Sequence, residues 1–570
     1  MSQIQQLVEC VPNFSEGRDM NVINQITAVI EQVEGVKLLD VDPGEATNRT
    51  VVTFVGNPQA VVEAAYQAVK KAGELIDMRH HHGAHPRMGA TDVLPLIPVA
   101  GISLDECAQL ARDLAKRIAD ELLVPCYCYE AAAFTPERRN LAVCREGEYE
   151  ALREKLTTPG RQPDYGTRPV DERMERTGCT AVGARNFLIA VNFNLNTTST
   201  RRANAIAFDV REKGRPVREG NSLTGKPLKD AQGHTIMQPG TLKATKAIGW
   251  YIDEYKVAQV SMNITDINVT PLHVAFDEVC RCAQQRGVRV TGTEIVGLIP
   301  KCALIEAGRY FLEKQHRSTG IPEDDIIFIA IKSMGLDDLK PFKPHEKVIE
   351  YMIEDADKSR KLVDLTVKDF ALETSRESPA PGGGSIAAYM GALGASLGAM
   401  VANLSSHKRG WDDRWHEFSQ WADKGQNIAA QLLHLVDEDT LSFNKLMEAF
   451  GMPKASEADK QARTQAIQAA TLYAAQVPLR TMQEAMRVFE VCKAMVETGM
   501  QSSLSDAGVG ALAARAAVLG AGLNVKINAA SLHDRDAAAH LVAQAEELTA
   551  QAIAAENEII TLVNSKLNNI

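Results

Sequence analysis

The sequence predicts a multidomain protein in which two α/β subdomains are followed by an all-α domain. Three observations favour this fold class. Apolar runs of strand length alternate with amphipathic helical stretches over the first 353 residues, strand patterns then stop, and alanine-rich helical patterns continue to the C-terminus. With 570 residues and 45% hydrophobic content, the chain is long enough for three or four domains, each with its own core.

The first α/β subdomain is predicted over residues 1–187. Strand-like and helical segments alternate there, which is the pattern of packed α/β layers. We expect strands at Leu7–Val11, Lys37–Val41, Thr50–Val55, Val93–Val99 and Pro125–Tyr129, and helices near 21–33, 58–74 and 104–121.

The second α/β subdomain is predicted over residues 188–353. It begins with the apolar run Phe187–Leu195 and includes Val257–Ile264, a helix near 271–287 and the segment Ile326–Ile331. The stretch 212–243 is polar, rich in Gly, Pro and Lys, and longer than ordinary loops. We interpret it as a solvated insertion; a loop that contacts an acidic substrate is the alternative.

A charged joint at residues 354–361 leads into the all-α domain, predicted over residues 362–570. Within it, Ile386–Leu404 is apolar and near the length that spans a bilayer. This segment consists mostly of Ala and Gly, and Gly391, Gly394 and Gly398 fall on one helix face, where another helix can approach closely. We therefore expect a buried bundle helix and no membrane span.

Charge and cysteine usage exclude other classes. A net charge of -11 disfavours nonspecific binding to nucleic acid. The ten cysteines include no Cys-x-x-Cys, so we expect buried, reduced thiols in a cytoplasmic protein. The segment Met1–Gln6 has neither a basic region nor a long apolar run, and no signal peptide is expected.

Four imidazoles, an arginine and a carboxylate lie close together in His80–Asp92. Gly83 and Pro86 oppose a continuous helix, so these groups lie on a loop, where catalytic side chains are commonly presented. Imidazole suits proton transfer near neutral pH. A solvated His tract and a metal site are the alternatives, but His81 and His85 enclose no Glu as in the zinc-protease motif. The segment predicts an active site, with no metal expected.

A glycine-rich turn opens the first long helix of the all-α domain. It comprises Gly382, Gly383, Gly384 and Ser385, and it lacks the Gly-Lys-Ser/Thr ending of a phosphate-binding loop. Exposed amides at a helix N-terminus favour carbonyl or anionic groups of a ligand. From the residues alone, a plain turn remains the alternative.

Asp439 interrupts an apolar helical stripe formed by Ile428, Leu432, Leu435, Phe443, Leu446 and Phe450. A carboxylate on such a stripe is a candidate acid or base; pairing with an arginine or capping another helix is the alternative. We interpret Asp437 and Glu438, off the stripe, as solvated charges. Secondary candidates for ligand contact are Asp506, Asn524 and Asn528, although the asparagines could equally bridge helices.

Several blocks of the chain resemble known families. Leu7–Gly17, Leu38–Asp42, Thr47–Gly56 and His85–Gly89 together resemble the glutamate formiminotransferase family, and Ser378–Ser385 resembles the opening of the formiminotetrahydrofolate cyclodeaminase family. In this order, the blocks resemble the bifunctional family that fuses the two. The resemblance implies transfer of a formimino group from N-formimino-L-glutamate to N5 of tetrahydrofolate, followed by cyclisation to 5,10-methenyltetrahydrofolate with release of ammonia.

The resemblance also implies roles for the candidate residues. His85 would shuttle the proton in the transfer, Asp42 would orient or charge-stabilise it, and Arg49 and Arg87 would hold carboxylate or folate groups. Asp439 would act in cyclodeamination, since it matches the family's Leu-Val-Asp-x-Asp context, and the glycine-rich turn would contact folate. The folate-binding stretch of the family corresponds to residues 166–178, where the charged insert prevents assignment of single contacts.

Tetrahydrofolate, with or without a polyglutamate tail, is thus expected as co-substrate, without a metal or nucleotide. Family members assemble as rings, octameric in the animal enzyme, so a homo-oligomer is expected by resemblance. Two alternatives remain: a formyl-transferring relative that acts on N-formylglutamate or 5-formyltetrahydrofolate, and a nonenzymatic folate-binding protein.

Overall fold

The structure is a computed structural model that describes residues 6–45, 48–83, 86–220, 225–354, 361–377 and 380–568. Its contacts divide the chain into two compact units. The first unit contains the chain up to Leu304 and a segment that begins at Met334, and the second contains Ile305–Ser333 and the region after the charged joint. Part of the segment predicted as the second subdomain therefore packs within the helical unit.

The larger sheet of the first unit has seven strands. They are β1 (Leu7–Cys10), β2 (Asn13–Phe14), β3 (Val36–Gly44), β4 (Arg49–Gly56), β5 (Thr91–Ala100), β6 (Cys126–Glu130) and β7 (Thr180–Ala184). The order is β1-β4-β2-β5-β7-β6, with β3 paired to β4 and a further pairing of β1 with β5. Strand β7 runs parallel to β5 and β6, whereas the β1–β4 and β3–β4 pairs are antiparallel. All five strands predicted for this region are present.

Three helices cover one face of this sheet: α1 (Met20–Glu31), α2 (Pro58–Leu75) and α3 (Leu104–Arg117). Alternate strand residues such as Val8, Cys10 and Phe54 enter the core beneath them, because successive side chains of a strand point to opposite faces. Asp19, Asn57 and Ser103 cap the three helices through their side chains. The shorter helices α4 (Leu141–Arg145), α5 (Leu152–Thr157) and α6 (Glu172–Thr177) follow.

The second sheet of this unit is antiparallel and has the order β11-β12-β8-β13. Its strands are β8 (Ile189–Leu195), β11 (Thr245–Ile252), β12 (Val257–Ile264) and β13 (Val290–Val296), and helices α7 (Thr200–Val210) and α8 (Leu272–Gln285) pack on it. The insertion 212–243 contributes the short strands β9 (Arg215–Pro216) and β10 (Met237–Gln238), which pair with each other. The two ends of the insertion therefore lie side by side, and the Thr241 backbone N–H donates to the Asp209 carbonyl of α7 at 3.0 Å.

After β13 the described part of the chain is helical. Four helices precede the joint: α9 (Lys301–Lys314), α10 (Glu323–Met334), α11 (Pro344–Lys347) and α12 (Ile349–Glu354). Six follow it: α13 (Val367–Thr374), α14 (Gly383–Ser406), α15 (Trp415–Gly451), α16 (Glu457–Thr498), α17 (Leu504–Ala529) and α18 (Arg535–Leu567). The region after the joint thus has the predicted all-α character throughout its described residues.

Glycine lets helices of the second unit approach closely, as predicted for α14. A Cβ atom at Gly394 would lie 2.8 Å from the carbonyl oxygen of Gly510 in α17, and one at Gly398 would lie 2.9 Å from a methyl of Val491 in α16. Helices α14 and Gln501–Ala529 are long and apolar enough to cross a membrane by composition, but 61% and 50% of their most apolar windows are buried in the structure. Helix α14 is therefore a core helix of this bundle.

The turn between α9 and α10 belongs to the same unit. The Thr319 backbone N–H donates to the Ser419 hydroxyl at 3.0 Å, and the Asn403 amide donates to the Gly320 carbonyl at 2.7 Å. These bonds attach the turn to α15 and α14. Ile326–Ile331, the segment singled out in the sequence, lies within α10.

Candidate active sites

The histidine-rich segment connects α2 to β5. Asp77 caps a 3₁₀ turn at Met78–His80, after which the chain leaves helical geometry, as the Gly and Pro residues predict. His80 and His82 are exposed, whereas His81 is only 7% exposed. His85 and its neighbour Ala84 lie outside the described residues, so the assignment of the proton shuttle to His85 remains a prediction.

His81 links this loop to the β3–β4 connection. Its Nε2 lies 2.8 Å from the backbone carbonyl of Asn48, and Arg87 Nε donates to its Nδ1 at 3.4 Å. The ring therefore carries its proton on Nε2 and accepts on Nδ1, which is the neutral form. Burial, reinforced by the nearby Arg87 charge, lowers the pKa of His81. The sequence analysis assigned a role only to His85, and the structure shows that His81 bonds the loop to the β3–β4 connection.

Arg87 is engaged with two carboxylates. Its guanidinium donates to both oxygens of Glu150, at 2.7 and 2.8 Å, and to Glu148 at 3.2 Å. These bonds, above all those from Glu150, raise the pKa of Arg87. Arg87 thus makes its bidentate hydrogen bonds within the chain, to Glu150, and binding of a substrate or folate carboxylate by Arg87 stays a prediction. A substrate carboxylate would have to share or replace that partner.

Arg49, Asp92 and Arg145 form a second charged cluster beside the loop. Asp92 is fully buried, pairs with Arg145, and accepts a hydrogen bond from the Met88 backbone N–H at 3.0 Å. Burial lowers the pKa of Arg49, and the nearby charge of Asp92 opposes this effect. Asp42 is exposed on β3, which pairs with β4, the strand that begins at Arg49. The negative charge of Asp42 also opposes the lowering of the Arg49 pKa. The structure therefore brings the predicted residues Asp42 and Arg49 to the same end of one hairpin.

Glu9 is a buried carboxyl group that the sequence analysis missed. It lies on β1 between Val8 and Cys10, both of which enter the helix-covered core, so its side chain is on the opposite face of the sheet. Burial raises the pKa of Glu9 to about 7, with Glu350 also raising it and Arg185 opposing. The sequence signal for Glu9 was a charged residue between the apolar residues Val8 and Cys10 of a predicted strand.

In the helical unit, Asp439 meets the glycine-rich turn. One carboxylate oxygen accepts hydrogen bonds from the Ser385 backbone N–H at 2.8 Å and from the Ser385 hydroxyl at 3.0 Å. Gly384 lies against the other oxygen, where a Cβ atom would come within 2.1 Å. Burial raises the pKa of Asp439, and the Ser385 hydrogen bonds oppose that shift. The carboxylate thus caps α14 and remains a partly desolvated acid.

The other residues of the glycine-rich turn and Asn524 lie close to this contact. Gly382 is the N-cap residue of α14, and a Cβ atom on Gly383 would lie 3.3 Å from the Asn524 side-chain nitrogen. Asn528, one turn along α17, donates to the Ala474 carbonyl of α16 at 2.7 Å, which is the helix-bridging role left open by the sequence. The turn and Asn524 therefore share one site with Asp439.

Asp506 does not join this group. It lies in the first turn of α17, 18 residues before Asn524, and that distance along an α-helix is about 27 Å. Within one chain, the secondary candidates are therefore separated along the length of the bundle.

Two expectations about α15 were wrong. Asp437 and Glu438 are not solvated: the Leu362 backbone N–H donates to Asp437 at 2.7 Å, and Glu438 pairs with Arg480 at 3.3 Å and accepts from the Tyr473 hydroxyl. The apolar stripe is also not buried to its end: Phe443 and Leu446 are half-buried, and Phe450 is 47% exposed. Ile428, Leu432 and Leu435, which precede Asp439, are buried as predicted.

Within the described ranges, no group of three or more His, Cys, Asp or Glu side chains is arranged to hold a metal ion. Eight of the ten cysteines are buried. Burial raises the pKa of thiols such as those of Cys126 and Cys492. Such buried thiols are poor nucleophiles.

Comparison with known proteins assigns both regions. Family models match residues 7–185 (formiminotransferase domain, N-terminal subdomain), 190–354 (formiminotransferase domain) and 366–547 (formiminotransferase-cyclodeaminase). A formimidoyltransferase-cyclodeaminase of Rattus norvegicus is 41% identical over 529 residues, which cover 93% of each chain.

Two shorter relatives each match one region. A glutamate formimidoyltransferase of Streptococcus pyogenes serotype M1 is 40% identical over 54% of this chain and 93% of its own. A methenyltetrahydrofolate cyclohydrolase of Methylorubrum extorquens is 34% identical over 36% of this chain and 98% of its own. Together with the full-length match, these findings show that the chain belongs to the formimidoyltransferase-cyclodeaminase family.

Proposed function

We propose that this enzyme transfers the formimino group of N-formimino-L-glutamate to N5 of tetrahydrofolate and then cyclises the product to 5,10-methenyltetrahydrofolate. The observation that carries the proposal is the presence of both family regions in one chain, each with a cluster of proton-handling groups. Tetrahydrofolate is the co-substrate of both steps, and neither step as written requires a metal or a nucleotide.

In the first step, N5 attacks the formimino carbon and the bond from that carbon to the glutamate nitrogen breaks. The N5 proton leaves and a proton reaches the departing amine, so one base that returns its proton can serve both transfers. We assign this role to His85. The neutral His81 and the Arg87–Glu150 pair hold the two ends of the loop on which His85 lies. Arg49 supplies positive charge for the carboxylates of the substrates.

In the second step, N10 attacks the same carbon and ammonia leaves. The departing nitrogen needs a proton, and N10 must lose one. Asp439 suits this exchange, because a carboxyl group with a raised pKa holds a proton more readily than an ordinary aspartate. The amides at the N-terminus of α14 supply partial positive charge beside it. The glycine-rich turn would then contact the folate.

The test is a coupled assay on the purified full-length chain. With tetrahydrofolate and formiminoglutamate, methenyl-folate absorbance and ammonia should rise together in equal amounts. Methenyl-folate without ammonia would contradict the cyclodeaminase step. Parallel reactions with N-formylglutamate separate formimino from formyl transfer, and the relatives' names do not favour the formyl alternative. Folate binding without turnover would favour a nonenzymatic role.

We also propose that the enzyme is a cytoplasmic homo-oligomer. Leu523 and Ile527 are 71% and 70% exposed on one face of α17, beside Asn524. Large apolar side chains at i, i+4 on a surface are typical of a protein interface. Light scattering should give a mass well above 62.1 kDa for the wild type and a smaller mass for Leu523→Glu. A monomeric wild type would contradict the proposal.

A further inference from the structure

Asn48 joins three connecting segments that meet at one end of the larger sheet. It immediately precedes β4, is only 7% exposed, and has a backbone φ of +48°, in the left-handed region where Asn is enriched over most side chains. Its side chain bonds to the β2–α1 loop and to the histidine-rich segment, and its backbone carbonyl bonds to the His81 ring. The sequence alone does not single out this residue.

The Asn48 side-chain amide uses both of its polar atoms. Its oxygen accepts a hydrogen bond from the Gly17 backbone N–H at 3.0 Å, and its nitrogen donates to the His82 carbonyl at 3.0 Å. The two partners fix the orientation of the amide, because an N–H needs an acceptor and a carbonyl needs a donor. One side chain therefore bridges the β2–α1 loop and the histidine-rich segment.

Gly17 is a closely packed anchor for this bridge. A Cβ atom at Gly17 would lie 2.5 Å from the backbone nitrogen of Arg49 and 2.5 Å from the carbonyl oxygen of Gly44, so the β2–α1 loop lies directly against the β3–β4 connection. In the same loop, the Ser15 hydroxyl donates to the Gly89 carbonyl at 2.7 Å. The support to which Asn48 attaches the His82 carbonyl is thus itself bonded on the far side of the histidine-rich segment.

The backbone carbonyl of Asn48 reaches the other end of the catalytic loop through His81. It accepts the Nε2–H of His81 at 2.8 Å, which leaves Nδ1 of that ring to accept from Arg87 Nε at 3.4 Å. Arg87 also donates to the His81 carbonyl at 3.3 Å. In the sequence, His85 lies between His82 and Arg87. Asn48 therefore bonds directly to one flank of His85 and, through a single imidazole, to the other.

We propose that Asn48 is a positioning residue for formimino transfer, which holds the loop that carries His85 in its reactive placement. The inference rests on the proposed function, since it takes His85 as the group that moves the proton. An acid-base group must lie within hydrogen-bond reach of that proton, and a misplacement of about 1 Å can lower the rate by about 10²-fold. Asn48 has no titratable group, so its effect is exerted through the loop. It should therefore govern kcat of the transfer step more than KM.

The test compares Asn48→Asp and Asn48→Gly with the wild type in the full chain. Aspartate keeps the size and the acceptor for the Gly17 N–H but has no donor for the His82 carbonyl. Glycine removes both side-chain bonds and tolerates the positive φ. Each variant should lower kcat of transfer, measured as glutamate release, by about 10- to 100-fold, while KM for formiminoglutamate stays near the wild-type value.

Asn57→Asp is the matched control. Asn57 is exposed and caps α2 by accepting from the Ala60 backbone N–H at 2.9 Å, and aspartate caps a helix equally well. The same chemical change at this position should leave kcat and KM of transfer at the wild-type values.

Two further readouts separate positioning from loss of the fold. Ammonia release from supplied 5-formiminotetrahydrofolate should be unchanged in both Asn48 variants, because Asp439 and the glycine-rich turn belong to the other unit. Hydrogen–deuterium exchange of the peptide that covers His80–Asp92 should be faster in both Asn48 variants than in the wild type and the Asn57→Asp control, since the loop has lost a bond that holds it.

A wild-type kcat of transfer in both folded variants would overturn the role of Asn48. A loss that appears as a raised KM alone, or an equal loss of transfer and ammonia release, would overturn it as well. Failure of the proposed function is a different result, because the wild type itself would then release no glutamate from formiminoglutamate.

Discussion

The Asp439 carboxylate accepts both the backbone N–H and the hydroxyl hydrogen of Ser385, at 2.8 and 3.0 Å. One side chain therefore closes the N-terminus of α14 and places an ionisable group beside the glycine-rich turn. Asparagine caps helices about as well as aspartate but cannot titrate. Capping and proton transfer can thus be separated by substitution.

Asp439→Asn should leave formimino transfer intact and slow ammonia release by about 10²- to 10⁴-fold, the usual effect of losing an acid-base group. A single-turnover assay should show 5-formiminotetrahydrofolate accumulating without stoichiometric ammonia. Asp536→Asn, at an exposed position in the first turn of α18, is the control. Wild-type ammonia release by folded Asp439→Asn would make Asp439 structural, and Asp437 and Asp506 would then be tested as the acid.

Gly384→Ala should impair the same step by a steric route. The new Cβ atom would lie 2.1 Å from an Asp439 carboxylate oxygen, so the carboxylate must move. Ammonia release should fall while transfer continues, although alanine is favoured over glycine in a helix by about 1 kcal/mol. Gly451→Ala, where nothing lies within 4 Å of the added atom, should change neither activity. Unchanged ammonia release by Gly384→Ala would show that the position of Asp439 is unimportant.

His85→Ala should abolish transfer, with a loss of about 10²- to 10⁴-fold, while cyclisation of supplied 5-formiminotetrahydrofolate stays near normal. The two steps are measured separately, by glutamate release and by ammonia release. His80→Ala, which removes an exposed imidazole of the same loop, serves as control. A near-normal transfer rate would remove His85 from its role, and equal loss of both activities would indicate misfolding.

Glu9 should make stability depend on pH. Its pKa rises from 4.5 to about 7 on folding, so between these values the folded state holds a proton that the unfolded state lacks. The stabilisation is complete below pH 4.5 and is lost as the pH rises to 7, by roughly 3 kcal/mol. Glu9→Gln should flatten this slope and exceed the wild type in stability above pH 7. Thermal unfolding from pH 5 to 8 checks this, with exposed Glu34→Gln as control; parallel slopes for Glu9→Gln and wild type would refute it.

The fold was largely predictable because periodicity reports local burial. The β1, β4 and β5 runs and the α1–α3 patterns each lie within one layer, and the structure places them within a few residues of prediction. Periodicity says nothing about which elements pack together at long range. It therefore missed the packing of Ile305–Ser333 within the helical unit and the exposure of Phe450 at the end of the α15 stripe.

The sequence singled out candidate site residues where chemistry and spacing coincide in one segment. Asp439 stood out because it interrupts an apolar row, and the Gly382–Ser385 turn stood out by composition. Glu148 and Glu150 were not singled out, because in the sequence they are indistinguishable from ordinary surface acids. They contact Arg87 only because the fold brings together residues about sixty positions apart. Partners of this kind follow from tertiary structure alone.

The α9–α10 turn has a consequence for how the chain can be divided. A cut at the joint after residue 354 would leave Thr319 on one polypeptide and Ser419, its hydroxyl partner, on the other. The α9–α10 hairpin, which precedes the joint, is thus part of the helical unit formed by the chain after the joint. Two halves that are expressed together should therefore copurify by fragment complementation. A helical unit that is moved into another protein should include the α9–α10 hairpin.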